Sequence, residues 1–320
     1  MITTRDFEFP EKLQRTFKKT IWLEWITVGY LLSVVVVMFL SMGNSQAMKA
    51  AWLEDLLGLI PAVSFLVASR YFNKPATRKF LYGYHRVYSI AFLCGSVALF
   101  GMGLFLMIDS TIALVKAEHP TIGAITIFGH MIWMGWVMIA ALIYSAVPAV
   151  ILGRLKLPMS EKLHSKILHT DAQTQKADWM TAVAAIVGVI GIGFGLWWMD
   201  AAAAIFISLS VLKDGVNNLK DSVTGLMDET PTTINQQKEE PIVAKLHDSI
   251  IELNWVADVR IRLREAGNVF FGEAFIIPKE DVNIMDNIEK TRDRVLQIDW
   301  KLHDLVITVV KELPEEADEN

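Results

Sequence analysis

The chain of 320 residues is 53% hydrophobic and 20% charged, with a mean hydropathy of +0.37 and a formal charge of −5. It is too apolar for a soluble domain of ordinary composition, and its modest negative charge excludes nucleic acid as a partner. The single cysteine, Cys94, excludes an internal disulfide or thiolate cluster and is expected to be a small buried hydrophobe.

A charged arm, 1–20, is followed by six runs that reach or approach the ~20 apolar residues a spanning helix needs: 21–42, 50–70, 87–108, 124–152, 178–198 and 201–219. The first run has no small-residue cleavage site and reads as a span, not a signal peptide. Glu24 falls near its end, where a side chain can snorkel; Glu54 and Asp55 fall well inside the second run, where charge is costly. Basic residues alternate between loops. Arg5, Lys12, Arg15, Lys18 and Lys19 precede the first run; Arg70, Lys74, Arg78, Lys79 and Arg86 follow the second; Arg154, Lys156, Lys162 and Lys166 follow the fourth. The intervening loops hold only Lys49 and Lys116, which predicts cytoplasmic termini and fits an even number of spans. A multi-pass protein of the plasma (inner) membrane is expected.

A polar linker, 229–240, separates the membrane domain, 21–228, from an α+β domain, 241–320, with an acidic tail of Glu315, Glu316, Asp318 and Glu319. Helical spacing over 241–253, alternation over 256–263, a Gly267-Asn268 turn into 269–277, a helix over 284–298 and a strand over 305–310 predict the order α-β-β-α-β, a sheet with helices on one face.

Several local sequences stand in a familiar order: Lys74-Pro75-Ala76 with Tyr82-Gly83-Tyr84-His85-Arg86; Ser165-Lys166 with Asp171 and Asp178; Trp198-Met199-Asp200-Ala201; Leu226-Met227-Asp228-Glu229-Thr230-Pro231; and Val256 to Arg262. Together they resemble the cation diffusion facilitator family of divalent-metal/proton antiporters. The resemblance implies six transmembrane helices, a ferredoxin-like cytoplasmic domain, a homodimer in the lipid bilayer, and export of divalent cations in exchange for protons. No permanently bound cofactor is implied; the metal ion is cargo. The resemblance further implies a mid-membrane site with two ligands four residues apart on each of the second and fifth spans. These positions fall at Glu54 and Gly58, and at Thr174 and Asp178, so two of the four remain carboxylates. It also implies that Arg86 pairs with Asp228 and ties the spans to the cytoplasmic domain. The accessory ligands found in relatives are replaced by Phe80, Tyr84, Ala257, Thr308 and Val309.

The residues also speak for themselves. An ionisable group inside a span faces a pathway or a partner, which makes Glu54 and Asp178 candidate cation ligands or paired groups. Asp171, Thr174 and Asp178 follow i, i+3, i+7 and form a polar stripe with Gln175 beside it, the pattern of a water-accessible wall. Asp55 lies about 100° from Glu54 around the helix, so it serves as an interhelical hydrogen-bond partner or, on a rotated helix, as a replacement ligand. Thr174 is the further oxygen donor, with Asp55 and Asp171 behind it. Lys176 projects off the stripe as a snorkelling cation or a proton-coupling group. An oxygen-only set favours manganese, ferrous iron or magnesium over zinc. His130, His164, His169 and His303 are isolated in sequence and read as structural or solvated. No nucleophile–base pair, zinc-protease helix or phosphate loop suggests an enzyme. The competing function is a non-transporting dimeric scaffold or regulator that keeps the fold and has lost the site, as Gly58 and Thr174 would allow.

Overall fold

The computed structural model describes residues 9–72, 74–117, 119–127, 130–234, 238–280 and 282–315. Arg5, residues 235–237 of the linker, and Glu316, Asp318 and Glu319 lie outside them.

The apolar runs fold into long helices: α1 (Glu11–Ser41), α2 (Gln46–Phe72), α3 (Val87–Val115), α4 (Met134–Leu163), α5 (Lys166–Gly193) and α6 (Trp198–Leu226). At 1.5 Å per residue each is about 40 Å or longer, against a hydrocarbon core of about 30 Å. Five of them, α1 to α5, are long and apolar enough to cross a membrane. α6 falls short by composition, because Lys213, Asp214, Asn217 and Asn218 interrupt its apolar run.

Three boundaries differ from the sequence expectation. α1 begins inside the charged arm, so Lys12, Arg15, Lys18 and Lys19 ride on its first turns. The fourth run is not helical from 124: Ala124–Ile127 (β1) pairs antiparallel with His130–Trp133 (β2), and α4 starts only at Met134. A β-branched, apolar stretch of this length cannot be told from the start of a buried helix by composition alone. His130 therefore sits on a hairpin strand and not in a span. α5 begins twelve residues before the expected 178, which puts Asp171 and Thr174 within the helix that carries Asp178.

Small residues set the closest helix approaches. A Cβ on Gly153 of α4 would lie 2.6 Å from the Ala172 carbonyl oxygen of α5, and one on Gly215 of α6 would lie 2.7 Å from the backbone of Phe100 on α3. Cys94 is exposed on α3, not buried as expected, since the α3–α6 contact is made through Ser96, Gly103 and Gly215 on another face.

The C-terminal part is a small mixed α/β domain of α7 (Ile242–Ile251), β3 (Val256–Ala266), β4 (Val269–Pro278), α8 (Ile284–Val295) and β5 (Leu302–Val309). The sheet order is β3-β4-β5, with β3 antiparallel and β5 parallel to β4. Ile242, Leu246 and Ile250 of α7 and Val295 of α8 close over Val259, Phe270, Ala274 and Leu305. The β3–β4 turn needs glycine: Gly267 has φ +67°, and a Cβ there would lie 2.4 Å from the His85 carbonyl oxygen. The hairpin tip therefore seats against the loop before α3, where Ala266, Val269 and Phe271 share a core with Phe17, Phe65, Phe72 and Tyr88.

Candidate cation site

α2 carries charge into its apolar run at Glu54 and Asp55, and α5 brings its polar stripe alongside. Their side chains meet α6 around a cavity with about 60 Å³ of space for water-sized solutes. That volume holds a few waters or a partly hydrated ion. Glu54, Asp55, Gly58 and Pro61 line it from α2, Asp171, Thr174, Gln175 and Asp178 from α5, and Asp214 and Asn218 from α6. Gly58 offers no side chain, so what faces the cavity there is open space bounded by Leu31, 3.6 Å from where a Cβ would stand.

The acidic groups differ in how they are engaged. Glu54 accepts one long hydrogen bond, from Thr181 Oγ1 at 3.3 Å. Asp55 accepts the Ser145 hydroxyl on both oxygens, at 2.8 and 2.9 Å, which ties α2 to α4. Asp171 is held by Lys156 Nζ at 2.6 Å and by Gln175 Nε2 at 3.1 Å. Asp178 and Asp214 line the same cavity.

Lys156 is the largest departure from the sequence reading. It was expected in a basic loop, but α4 runs on to Leu163 and takes Lys156 fully inside, between Glu24 at 2.9 Å and Asp171 at 2.6 Å. Glu24 accordingly does not snorkel: it is completely buried, because a fixed cation meets it where it stands. Lys176 is exposed and off the cavity.

Asp214 and Asn218 were missed. The argument that singled out Glu54, charge inside an apolar run, applies equally to Lys213-Asp214 within 201–219 and would have found Asp214; the uncharged Asn218 gives no such signal. Thr181, one turn beyond Asp178, gave no signal of its own. Asp200 is engaged differently: it accepts Ser45 Oγ at 2.6 Å and the backbone N–H groups of Gln46, at 2.6 Å, and Ala47, at 3.2 Å, and so caps the start of α2 from α6.

At the cytoplasmic-domain contact, Arg86 pairs with Asp228 and donates to the Leu226 carbonyl at 3.3 Å, while Arg264 of β3 reaches the other Asp228 oxygen at 3.4 Å. The histidines are less isolated in space than in sequence. His303 and His85 have ring centroids 4.6 Å apart beside Phe271, and His164, the left-handed cap of α4, packs edge-on against Phe270. Burial, with His303 adjacent, pushes His85 down to about 3; burial, with Lys301 and Lys166 adjacent, does the same to His164. His169 lies within hydrogen-bonding distance of Ser160 and Gln173. Among the described residues, no group of three or more His, Cys, Asp or Glu side chains is placed to hold a metal ion by itself.

Residues 23–227, more than half of the chain, match the cation efflux transmembrane domain. The manganese efflux system protein MneS of Bacillus subtilis is 25% identical over 188 residues, covering 58% of this chain and 60% of its own. The magnetosome protein MamM of Paramagnetospirillum magneticum is 26% identical over 190 residues, 59% of this chain and 56% of its own. A cadmium, cobalt and zinc/H(+)-K(+) antiporter of Bacillus velezensis is 27% identical over 231 residues, 68% of this chain and 66% of its own. The chain thus spans about three-fifths of the length of the first two relatives. With five apolar helices of membrane-spanning length, carboxylates lining a cavity among them and a domain match from within α1 to the end of α6, the chain belongs to the cation efflux, or cation diffusion facilitator, family.

Proposed function

We propose that the protein is a divalent-cation/proton antiporter that exports its cargo from the cytoplasm, with manganese, ferrous iron or magnesium favoured over zinc. The observation that carries this reading is the cavity that Glu54, Asp178 and Asp214 line, with no basic side chain among its lining residues. Carboxylates inside a membrane are costly unless something compensates them. A divalent cation in one state and protons in the other supply that compensation, and alternating between them couples the two fluxes. The donors around the cavity are oxygens, which suits hard cations. The names of two relatives, a manganese efflux protein and an antiporter of cadmium, cobalt and zinc, support the transport class and span both metal preferences.

In this reading all six long helices cross the plasma membrane, α6 with its polar face turned to the cavity, and both termini are cytoplasmic. An arm of 1–20, a membrane domain of 21–228, a linker of 229–240 and a ferredoxin-like domain of 241–320 assemble as a homodimer, with Arg86–Asp228 as the tie between spans and domain. Labelling of Asn44→Cys and Lys162→Cys in a Cys94→Ser background tests the orientation: the two positions should be reached from opposite sides.

The functional test is flux in proteoliposomes. Manganese should move against a pH gradient faster than zinc, and Glu54→Gln or Asp178→Asn should abolish the movement, because the amide keeps the shape and an oxygen but loses the charge and the titratable proton. The vacancy at Gly58 favours a second reading, a non-transporting scaffold. Absence of flux for manganese, iron, magnesium and zinc, with zinc transport gained by Gly58→Asp/Thr174→His, would decide for the scaffold.

A further inference from the structure

The cavity wall holds an acceptor that no described residue uses. Gln175 is 4% exposed and lines the cavity; its Nε2 donates to Asp171 at 3.1 and 3.3 Å, while its Oε1 is buried without a donor. The orientation of the amide follows from chemistry: turned over, its oxygen would face a carboxylate oxygen. Asp171 cannot move aside, since its other engagement is Lys156, which in turn is held by Glu24. All three are buried. A chain of charges thus clamps the nitrogen end of the amide and leaves its oxygen, on a residue of the cavity wall, without a protein donor. Gln175 precedes Asp178 by three residues on α5, so the two share a helix face.

We propose that Gln175 Oε1 is a neutral ligand of the transported divalent cation, and that Asp171, fixed by Lys156, is the positioning residue that presents it. This rests on the cavity being the cation site. Amide carbonyls are ordinary ligands of hard divalent ions, and here one stands in the wall of a site where Gly58 contributes none. Asp171, one of the candidate ligands by sequence, acts through Gln175 in this arrangement, its charge being already taken by Lys156.

The test is equilibrium manganese binding to the purified full-length protein in detergent, read from the loss of the free-ion electron paramagnetic resonance signal. Gln175→Leu should weaken binding about tenfold, within the range that loss of a supporting polar partner produces at metal sites, and the exchange Gln175→Glu/Asp171→Asn, which puts the charge at the ligand position while an amide keeps the hydrogen bond between the two side chains, should tighten it by a similar factor. The opposite signs separate a ligand from a general loss of fold. Asp171→Leu, which leaves Lys156 paired one-to-one with Glu24, should weaken binding as Gln175→Leu does, and the double variant should be no weaker than the weaker single. Additive losses would overturn the positioning role. If both Gln175 variants bind like wild type, or both weaken binding, the ligand assignment fails; if Glu54→Gln still abolishes binding in that case, the cavity remains the cation site. A wild-type protein that binds no manganese would overturn both.

Discussion

Two acidic clusters lie within a few turns of each other in the helical region, and they solve the same problem in opposite ways. Glu24 and Asp171 have a lysine of their own between them, fully buried at 2.9 and 2.6 Å, and are closed to exchange. Glu54, Asp178 and Asp214 have no basic neighbour among the residues that line their cavity. A carboxylate with an internal cation is architecture, whereas one that must take its cation from outside can serve transport. The comparison also explains why the stripe Asp171, Thr174, Asp178 on one helix splits between two roles.

The largest expected effect comes from exchanging these roles. Lys156→Met leaves two buried carboxylates without their cation and should cost about 3–5 kcal/mol in unfolding stability, as breaking a buried ion pair does. Neutralising all three positions, Glu24→Gln/Lys156→Met/Asp171→Asn, should recover most of it. Glu54→Gln should show the reverse pattern, with transport abolished and stability kept or raised. Equal stability losses for Lys156→Met and Glu54→Gln, compared by thermal unfolding, would erase the distinction.

A smaller effect is expected where the cytoplasmic domain docks. His85 and His164 are pushed down to about 3 from an ordinary value of 6.5 by burial. Their neutral forms are therefore favoured by folding: the stabilisation is complete above pH 6.5 and is lost as pH falls toward 3. At pH 5 the loss is on the order of 2 kcal/mol per histidine. Protection factors for amide exchange over 266–271, taken relative to the intrinsic rate at each pH, should fall between pH 7 and pH 5, and His85→Gln/His164→Gln should flatten that response. The smallest effect belongs to Arg86→Ala. Its pair with Asp228 is partly exposed and Arg264 reaches the same carboxylate, so the cost should be about 1 kcal/mol or less.

The helices and the acid positions Glu54 and Asp178 were legible in the sequence because charge inside an apolar run is a signal that needs no partner to be seen. The C-terminal order of helices and strands was legible because alternation and the Gly267-Asn268 turn are local. What was hidden depends on distance along the chain. Lys156 sits among Arg154, Lys162 and Lys166, and only the extension of α4 beyond 152 turns it inward to Glu24 and Asp171. His85 and His303 approach because a hairpin docks on a membrane-proximal loop, a contact that no local pattern encodes. The hairpin at 124–133 was hidden for the opposite reason: its apolar residues fit either structure.

The most direct test is to build an internal cation into the open cluster. Thr174→Lys places an ammonium in the cavity wall between the carboxylates, as Lys156 stands between Glu24 and Asp171. Thermal unfolding of purified protein with and without manganese reads the result through ligand linkage. Wild type should gain stability with added manganese, whereas Thr174→Lys should gain none while unfolding at or above the wild-type temperature without metal. A manganese shift in Thr174→Lys as large as in wild type would contradict the account.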